Sequence, residues 1–174
     1  MNTMALLCLI LAGGKGTRMS QDKALLFDTV NTLARELKSR NCRVVVACGT
    51  ADRASLFNEQ CWLDPPEAET LAEIIWKFIE DNPEEIQLFP CDMYRLDGPA
   101  ITTILAQSPG IPVDAEGQEQ YTLARIPKGY KPSPALSLKH LFADVKRNQM
   151  AFLGDRLENF NHPNQIDDLN KSNL

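Results

Sequence analysis

The 174-residue chain has no C-x-x-C pair, no internal repeat, no linker-like stretch, no apolar run of bilayer length and no surplus of positive charge. Each absence closes off a class of function. The five cysteines, Cys8, Cys42, Cys48, Cys61 and Cys91, form an odd set without paired spacing. They define no disulfide framework and read as reduced thiols of a cytoplasmic protein. Cys8, Cys48 and Cys91 sit in or at the end of apolar runs, as core thiols do. Cys91 precedes an acid and is a candidate nucleophile, but no histidine lies near it in sequence to serve as its base, so the core reading is preferred. A net charge of −5 argues against a nucleic-acid partner. Met4 to Ala12 has the hydropathy of a secretory leader but no basic segment before it, and a buried first strand is the better reading. With no bilayer-length run, no membrane partner is expected.

What is present is 44% apolar and 24% charged, the composition of one globular domain spanning 1–174. The polar, asparagine-rich end after about residue 165 is expected to fray. Leu6 to Leu11, Arg43 to Cys48, Cys61 to Leu63 and Ile86 to Pro90 are apolar runs with the character of buried parallel strands. Thr29 to Arg40 has Val30, Leu33, Ala34 and Leu37 on one helical face. Asp52 to Gln60 and Pro99 to Ala106 read as short helices. Asp64-Pro65-Pro66-Glu67 has the form of a capping box opening a helix through Ile79. In the last third, Asp114 to Gly117 predicts a turn, Tyr121 to Ile126 a strand, and Ser133 to Lys146 an amphipathic helix. The alternation predicts a three-layer α/β architecture, a mostly parallel sheet with helices on both faces.

Ligands of such sheets bind beyond the carboxyl ends of the strands. Three of those ends carry polar chemistry here: Gly13-Gly14, Asp64 and Asp92. Gly13, Gly14 and Gly16 let the backbone approach an anion closely, and unpaired N–H groups of such a turn point at phosphate. Arg18 and Lys23, five positions apart with Asp22 alongside, add positive charge where a triphosphate would sit. The loop fits neither G-x-x-x-x-G-K-[ST] nor G-x-G-x-x-G. Asp92 suits Mg²⁺, which takes few carboxylates plus phosphate oxygens, although a cap or turn role is the plain alternative. Asp64 is explained by capping and is also a candidate nucleotide ligand.

At these residues the chain resembles the molybdenum cofactor guanylyltransferases, the MobA-like nucleotidyltransferases. Leu11-Ala12-Gly13-Gly14-Lys15-Gly16-Thr17-Arg18-Met19-Ser20-Gln21-Asp22-Lys23-Ala24-Leu25-Leu26 is similar to the family's LAGGxSxRMGxDKALL signature. Leu88-Phe89-Pro90-Cys91-Asp92-Met93 is similar to its LPCDMP strand end. Pro134-Ala135-Leu136-Ser137 resembles a helix start of the family, and Leu157 to Pro163 its F-x-N-I-N-T-P segment. The loop also resembles the GGxGTR turn of sugar-nucleotide pyrophosphorylases, whose lysine lies farther from the arginine. The resemblance implies a Rossmann-like nucleotidyltransferase fold and transfer of GMP from GTP onto the phosphate of molybdopterin, with release of pyrophosphate. It implies Mg²⁺ at Asp92 as cofactor, and a nucleotide held by Leu11, Ala12, Gly13, Gly14, Lys23, Asp64 and Asp92. Arg18, Lys23 and Asp92 would be catalytic, with Arg18 neutralising the leaving pyrophosphate. A protein partner in molybdoenzyme maturation fits the same picture.

Three departures bear on specificity. The family's G-P-L-A-G-I loop corresponds to Glu69-Thr70-Leu71-Ala72-Glu73-Ile74, with both glycines replaced by glutamate. The glycine-proline turn after DKALL is missing, and Phe27-Asp28-Thr29-Val30 runs directly towards a helix. The proline after C-D-M is Tyr94. The phosphate half of the site is therefore expected to be intact and the base-and-acceptor half altered. A non-catalytic relative, or a transferase with another base or acceptor, is the alternative reading.

Overall fold

The computed structural model of the protein describes residues 5–13 and 22–172. In chain order the regular elements are β1 (Leu7–Leu11), α1 (Thr29–Lys38), β2 (Arg43–Gly49), β3 (Gln60–Leu63), α2 (Leu71–Asp81) and β4 (Ile86–Pro90). They continue as α3 (Gly98–Leu105), β5 (Ile111–Val113), β6 (Arg125–Ile126), α4 (Leu138–Leu141), β7 (Arg147–Gln149) and α5 (Pro163–Ser172). The main sheet has five strands in the order β3-β2-β1-β4-β6. All pairs are parallel except β4 with β6. β5 and β7 form a separate parallel pair. No helix among the described residues is long and apolar enough to cross a membrane.

Both faces of the sheet are covered, as its continuous apolar strands require. On one face Cys8, Ile10 and Ala12 of the β1 segment pack with Val30, Leu33, Ala34 and Leu37 of α1 and with Ala100, Ile101 and Ile104 of α3. On the other, Leu7, Leu9 and Leu11 pack with Ile75, Phe78 and Ile79 of α2 and with Leu141 of α4. The two-residue alternation of the strand thus divides one apolar run between two cores. The chain winds outward from β1 to β2 and β3, then returns to place β4 on the opposite side of β1. That reversal is the topological switch point, where ligands of doubly wound sheets bind. Leu11 pairs with Pro90 there, so Gly13 and Asp92 leave their strands at the same level.

Three local expectations are corrected. The helix after β3 starts at Leu71, and its capping box is Thr70 with Glu73 rather than Asp64 with Glu67. Pro66 disfavours the helical region for Pro65, so no helix can open at Asp64. The expected helix over Ser133 to Lys146 is reduced to the short α4, capped by the Ser137 hydroxyl. Pro132 and Pro134 act in the same way to hold the preceding chain out of a helix. Tyr121 to Ile126 is a 3₁₀ turn over Tyr121–Leu123 followed by the two-residue β6, not one strand. The last described element is α5, which opens with Pro163 at its first position. Gln165 supports that start by accepting from the N–H groups of Asn161 (2.7 Å) and His162 (2.9 Å).

Gly49 ends β2 at φ +90°, and a Cβ there would lie 3.0 Å from the Gly13 carbonyl oxygen. Both the backbone conformation and the space exclude a side chain. Gly49→Ala is expected to destabilise the protein by about 1–3 kcal/mol, read from the urea midpoint.

Candidate active site

The carboxyl ends of β1 and β2 meet as bare backbone. Ala12 extends the ladder by donating to the Ala47 carbonyl at 2.9 Å. The next residue, Gly13, packs its Cα against Gly49, where an added Cβ would come within 3.3 Å. Leu11 and Ala12 are buried, whereas Gly13 reaches the surface. Gly14 and Arg18 lie outside the described residues. Ala12 and Asp22, on either side of them in the chain, are joined by one side chain. Arg53, buried in a 3₁₀ turn (Ala51–Leu56) after β2, donates to the Ala12 carbonyl at 2.6 Å and the Cys48 carbonyl at 2.8 Å. It also forms an ion pair with the Asp22 carboxylate. That carboxylate keeps the guanidinium charged and raises its pKa despite burial. Sequence reasoning missed Arg53, because nothing in its neighbourhood announces a link to residues 31 and 41 positions away.

Lys23 follows directly. Its ammonium lies 3.2 Å from Asp92 Oδ2 and donates to Asn161 Oδ1 at 3.0 Å. Lys23 and Asp92 expose only 17% and 16% of their side chains, so solvent screens the pair far less than a surface bridge. Asn161 is brought in by the backbone of its neighbour: the Phe160 N–H donates to the Asp92 carbonyl at 3.1 Å. Of the expected residues, the fold therefore joins Lys23 and Asp92, and it adds Asn161 from a segment 138 positions away. The signal for Asn161 was present in the Leu157 to Pro163 segment, which the family resemblance covers without giving any residue a role.

Asp92 is no helix cap; the Asp97 carboxylate caps α3 by accepting from Ala100 N. The donors around Asp92 suit a hard cation in part. No group of three His, Cys, Asp or Glu side chains capable of holding a metal occurs among the described residues. One carboxylate beside an amide oxygen is nevertheless the kind of set Mg²⁺ uses when phosphate oxygens and water complete its shell.

Asp64 lies past the end of β3, and its N–H donates to the Gly49 carbonyl at 2.8 Å. It belongs to the same row of strand ends as Gly13 and Gly49. Relieved of capping, its carboxyl is partly buried, and burial raises its pKa. The glutamates that replace the family's glycines have separate fates. Glu73 turns its carboxylate onto the N-terminus of α2, accepting from the N–H groups of Glu69 (2.7 Å) and Thr70 (2.9 Å). Those bonds hold its carboxyl below the ordinary range. Its charge is thus matched by the positive end of the helix instead of opposing a triphosphate. Glu69 is exposed. Burial pushes the Cys91 thiol up to about 12, so at neutral pH it is protonated and poorly suited as a nucleophile. Beside Asp92 and Asn161 a cavity of about 310 Å³ opens toward Gln120, Tyr121, Asn159 and Leu138.

Gly13 at the end of β1, a half-buried lysine and a strand-end acid gathered at the switch point of a parallel sheet suit nucleotidyl transfer, and the class is nucleotidyltransferase. The chain belongs to the MobA-like NTP transferase domain family, whose model matches residues 8–156. The fold is similar to the crystal structure of protein Aq1419 from Aquifex aeolicus VF5. The TM-score is 0.68 at 17% identity, over 90% of this chain and 94% of that one, a likeness of fold. No curated protein matches the chain.

Two outcomes follow from this geometry. Arg53→Met leaves Asp22 unpaired and two carbonyls without their donor, and is expected to cost about 3–5 kcal/mol in chemical denaturation. Asp64→Asn should act in the opposite direction. Because the folded-state pKa of Asp64 is raised, the ionised group opposes folding once the pH exceeds that value and has no effect when protonated in both states. The variant should have a higher urea midpoint than wild type at pH 7, and the gain should vanish as pH falls through the raised pKa to the ordinary carboxylate range. The same variant should bind Mg²⁺–nucleotide more weakly, a trade expected of a functional acid.

Proposed function

We propose that the protein transfers GMP from GTP to the terminal phosphate of molybdopterin and releases pyrophosphate. The observation that carries this reading is the Lys23 ammonium held between Asp92 and Asn161 at the switch point. The Ala12 N–H is taken by the Ala47 carbonyl, so backbone N–H groups from Gly13 onward would hold the phosphates, with Leu11 and Ala12 shaping the turn and Asp64 on the nucleotide at the β3 side. Lys23 would contact the α-phosphate, and Arg18 would neutralise charge on the leaving group. Asp92 would hold Mg²⁺, which when bound supplies charge neutralisation to the triphosphate. An acceptor phosphate oxygen attacks the α-phosphorus directly. One P–O bond forms to the acceptor as the bond to the β-phosphate breaks, and the electron pair leaves with pyrophosphate. No protein nucleophile is needed, consistent with a protonated Cys91. The chain then contributes position and electrostatics. The cavity beside Asp92 lies where an acceptor could approach from the β6 side.

Glu73 removes one objection to a bound triphosphate. The substitution that would place a second carboxylate near a triphosphate is instead a helix cap. Pyrophosphate release from GTP, Mg²⁺ and molybdopterin tests the proposal, with ATP, CTP and UTP as competitors for the base. Asp92→Asn is expected to lower turnover about a hundredfold or more while the melting temperature stays near that of wild type. No release with any nucleoside triphosphate would make the protein a non-catalytic relative.

A further inference from the structure

We propose that Tyr94 is a positioning residue for Lys23, an inference that rests on the nucleotide-binding reading of this site. Tyr94 stands where the resembling family has proline. Its hydroxyl donates to the backbone carbonyl of Lys23 at 2.8 Å, across 71 positions. The ring is braced on two sides. Phe160 meets it edge-on with centroids 5.3 Å apart and planes at 60°, and Phe27 does so at 5.3 Å and 74°.

These contacts join three segments, and each segment supplies one member of the site. Phe27 lies four residues after Lys23, Tyr94 two residues after Asp92, and Phe160 immediately before Asn161. The ammonium's position between Asp92 and Asn161 therefore depends on how the three backbones are held together. Tyr94 lies on one of them and touches the other two.

The backbone at Phe27 points the same way. Phe27 (φ 57°) and Asp28 (φ 50°) are consecutive left-handed residues without glycine, a conformation that L side chains avoid. They replace the missing glycine-proline turn. The tight turn brings the Phe27 ring onto Tyr94, and the T-shaped contact contributes against the strain.

Tyr94→Phe keeps the ring and removes the hydrogen bond. Two measurements separate positioning from simple packing. In the first, Mg²⁺–GTP affinity is measured by calorimetry for wild type, Tyr94→Phe, Lys23→Ala and the double variant. Tyr94→Phe should weaken binding by about threefold to tenfold alone and have almost no effect when Lys23 is already alanine. An equal loss in both backgrounds overturns the proposal. In the second, acetylation of the ligand-free protein is followed by mass spectrometry, with exposed Lys131 as the internal control. Lys23 should react about threefold faster in Tyr94→Phe, because its backbone anchor is gone. An unchanged rate overturns the proposal. If wild type binds no nucleoside triphosphate, the nucleotide reading fails, and the labelling rate alone decides the role of Tyr94.

Discussion

The site depends first on one buried cation. Arg53 reaches from the turn after β2 to the Ala12 carbonyl, the Cys48 carbonyl and the Asp22 carboxylate. Two of those partners, Ala12 and Asp22, flank the glycine segment in the chain. A lysine could supply the charge but not the planar fork that meets three acceptors in different directions. With Ala12 and Asp22 both held, Gly13 lies against Gly49 and Lys23 begins from a defined place. The ion pair is largely buried, and such pairs are best understood as specifying geometry, since their net contribution to stability is offset by desolvation.

The second constraint is the winding of the sheet. Because β4 returns to the far side of β1, the residues beyond Leu11 and Pro90 face one crevice. Asp92 then meets Lys23 with little water between them, and Asn161 closes the group from the C-terminal segment. This arrangement has little intrinsic chemistry. It has position, one hard oxygen donor and fixed charge, which are what phosphoryl and nucleotidyl transfer require of a protein. The separate fates of Glu73 and Asp64 fit the same logic. Glu73 is satisfied by a helix terminus, whereas Asp64 stays ionisable in partial burial beside the strand ends.

Much of this was legible in one dimension, and the reasons can be given residue by residue. β1, β2 and β4 were visible because central parallel strands are apolar on both faces, and α1 because Val30, Leu33, Ala34 and Leu37 recur at helical spacing. The Asp64 cap was misread because a D-P-P-E pattern satisfies the capping template while its second proline forbids the helix. Thr70 with Glu73 satisfies the same template without that conflict. The Ser133 to Lys146 helix failed for a related reason, since residues beside prolines stay extended whatever the periodicity beyond them. β7 carries Arg147, Asn148 and Gln149, and no hydrophobic pattern could announce it.

By itself the sequence determined the class of the fold and singled out Gly13, Lys23 and Asp92 as candidates at its strand ends, because spacing and periodicity are local properties of the chain. Tertiary structure alone decided which distant groups those residues meet. Arg53 reaches Asp22, Asn161 reaches Lys23 and Tyr94 holds the Lys23 backbone, across 31, 138 and 71 positions respectively. Such contacts are set by the order in which strands are laid into a sheet and by the turn of each connecting loop. Their energies depend on burial and distance, quantities that exist only once the chain has folded.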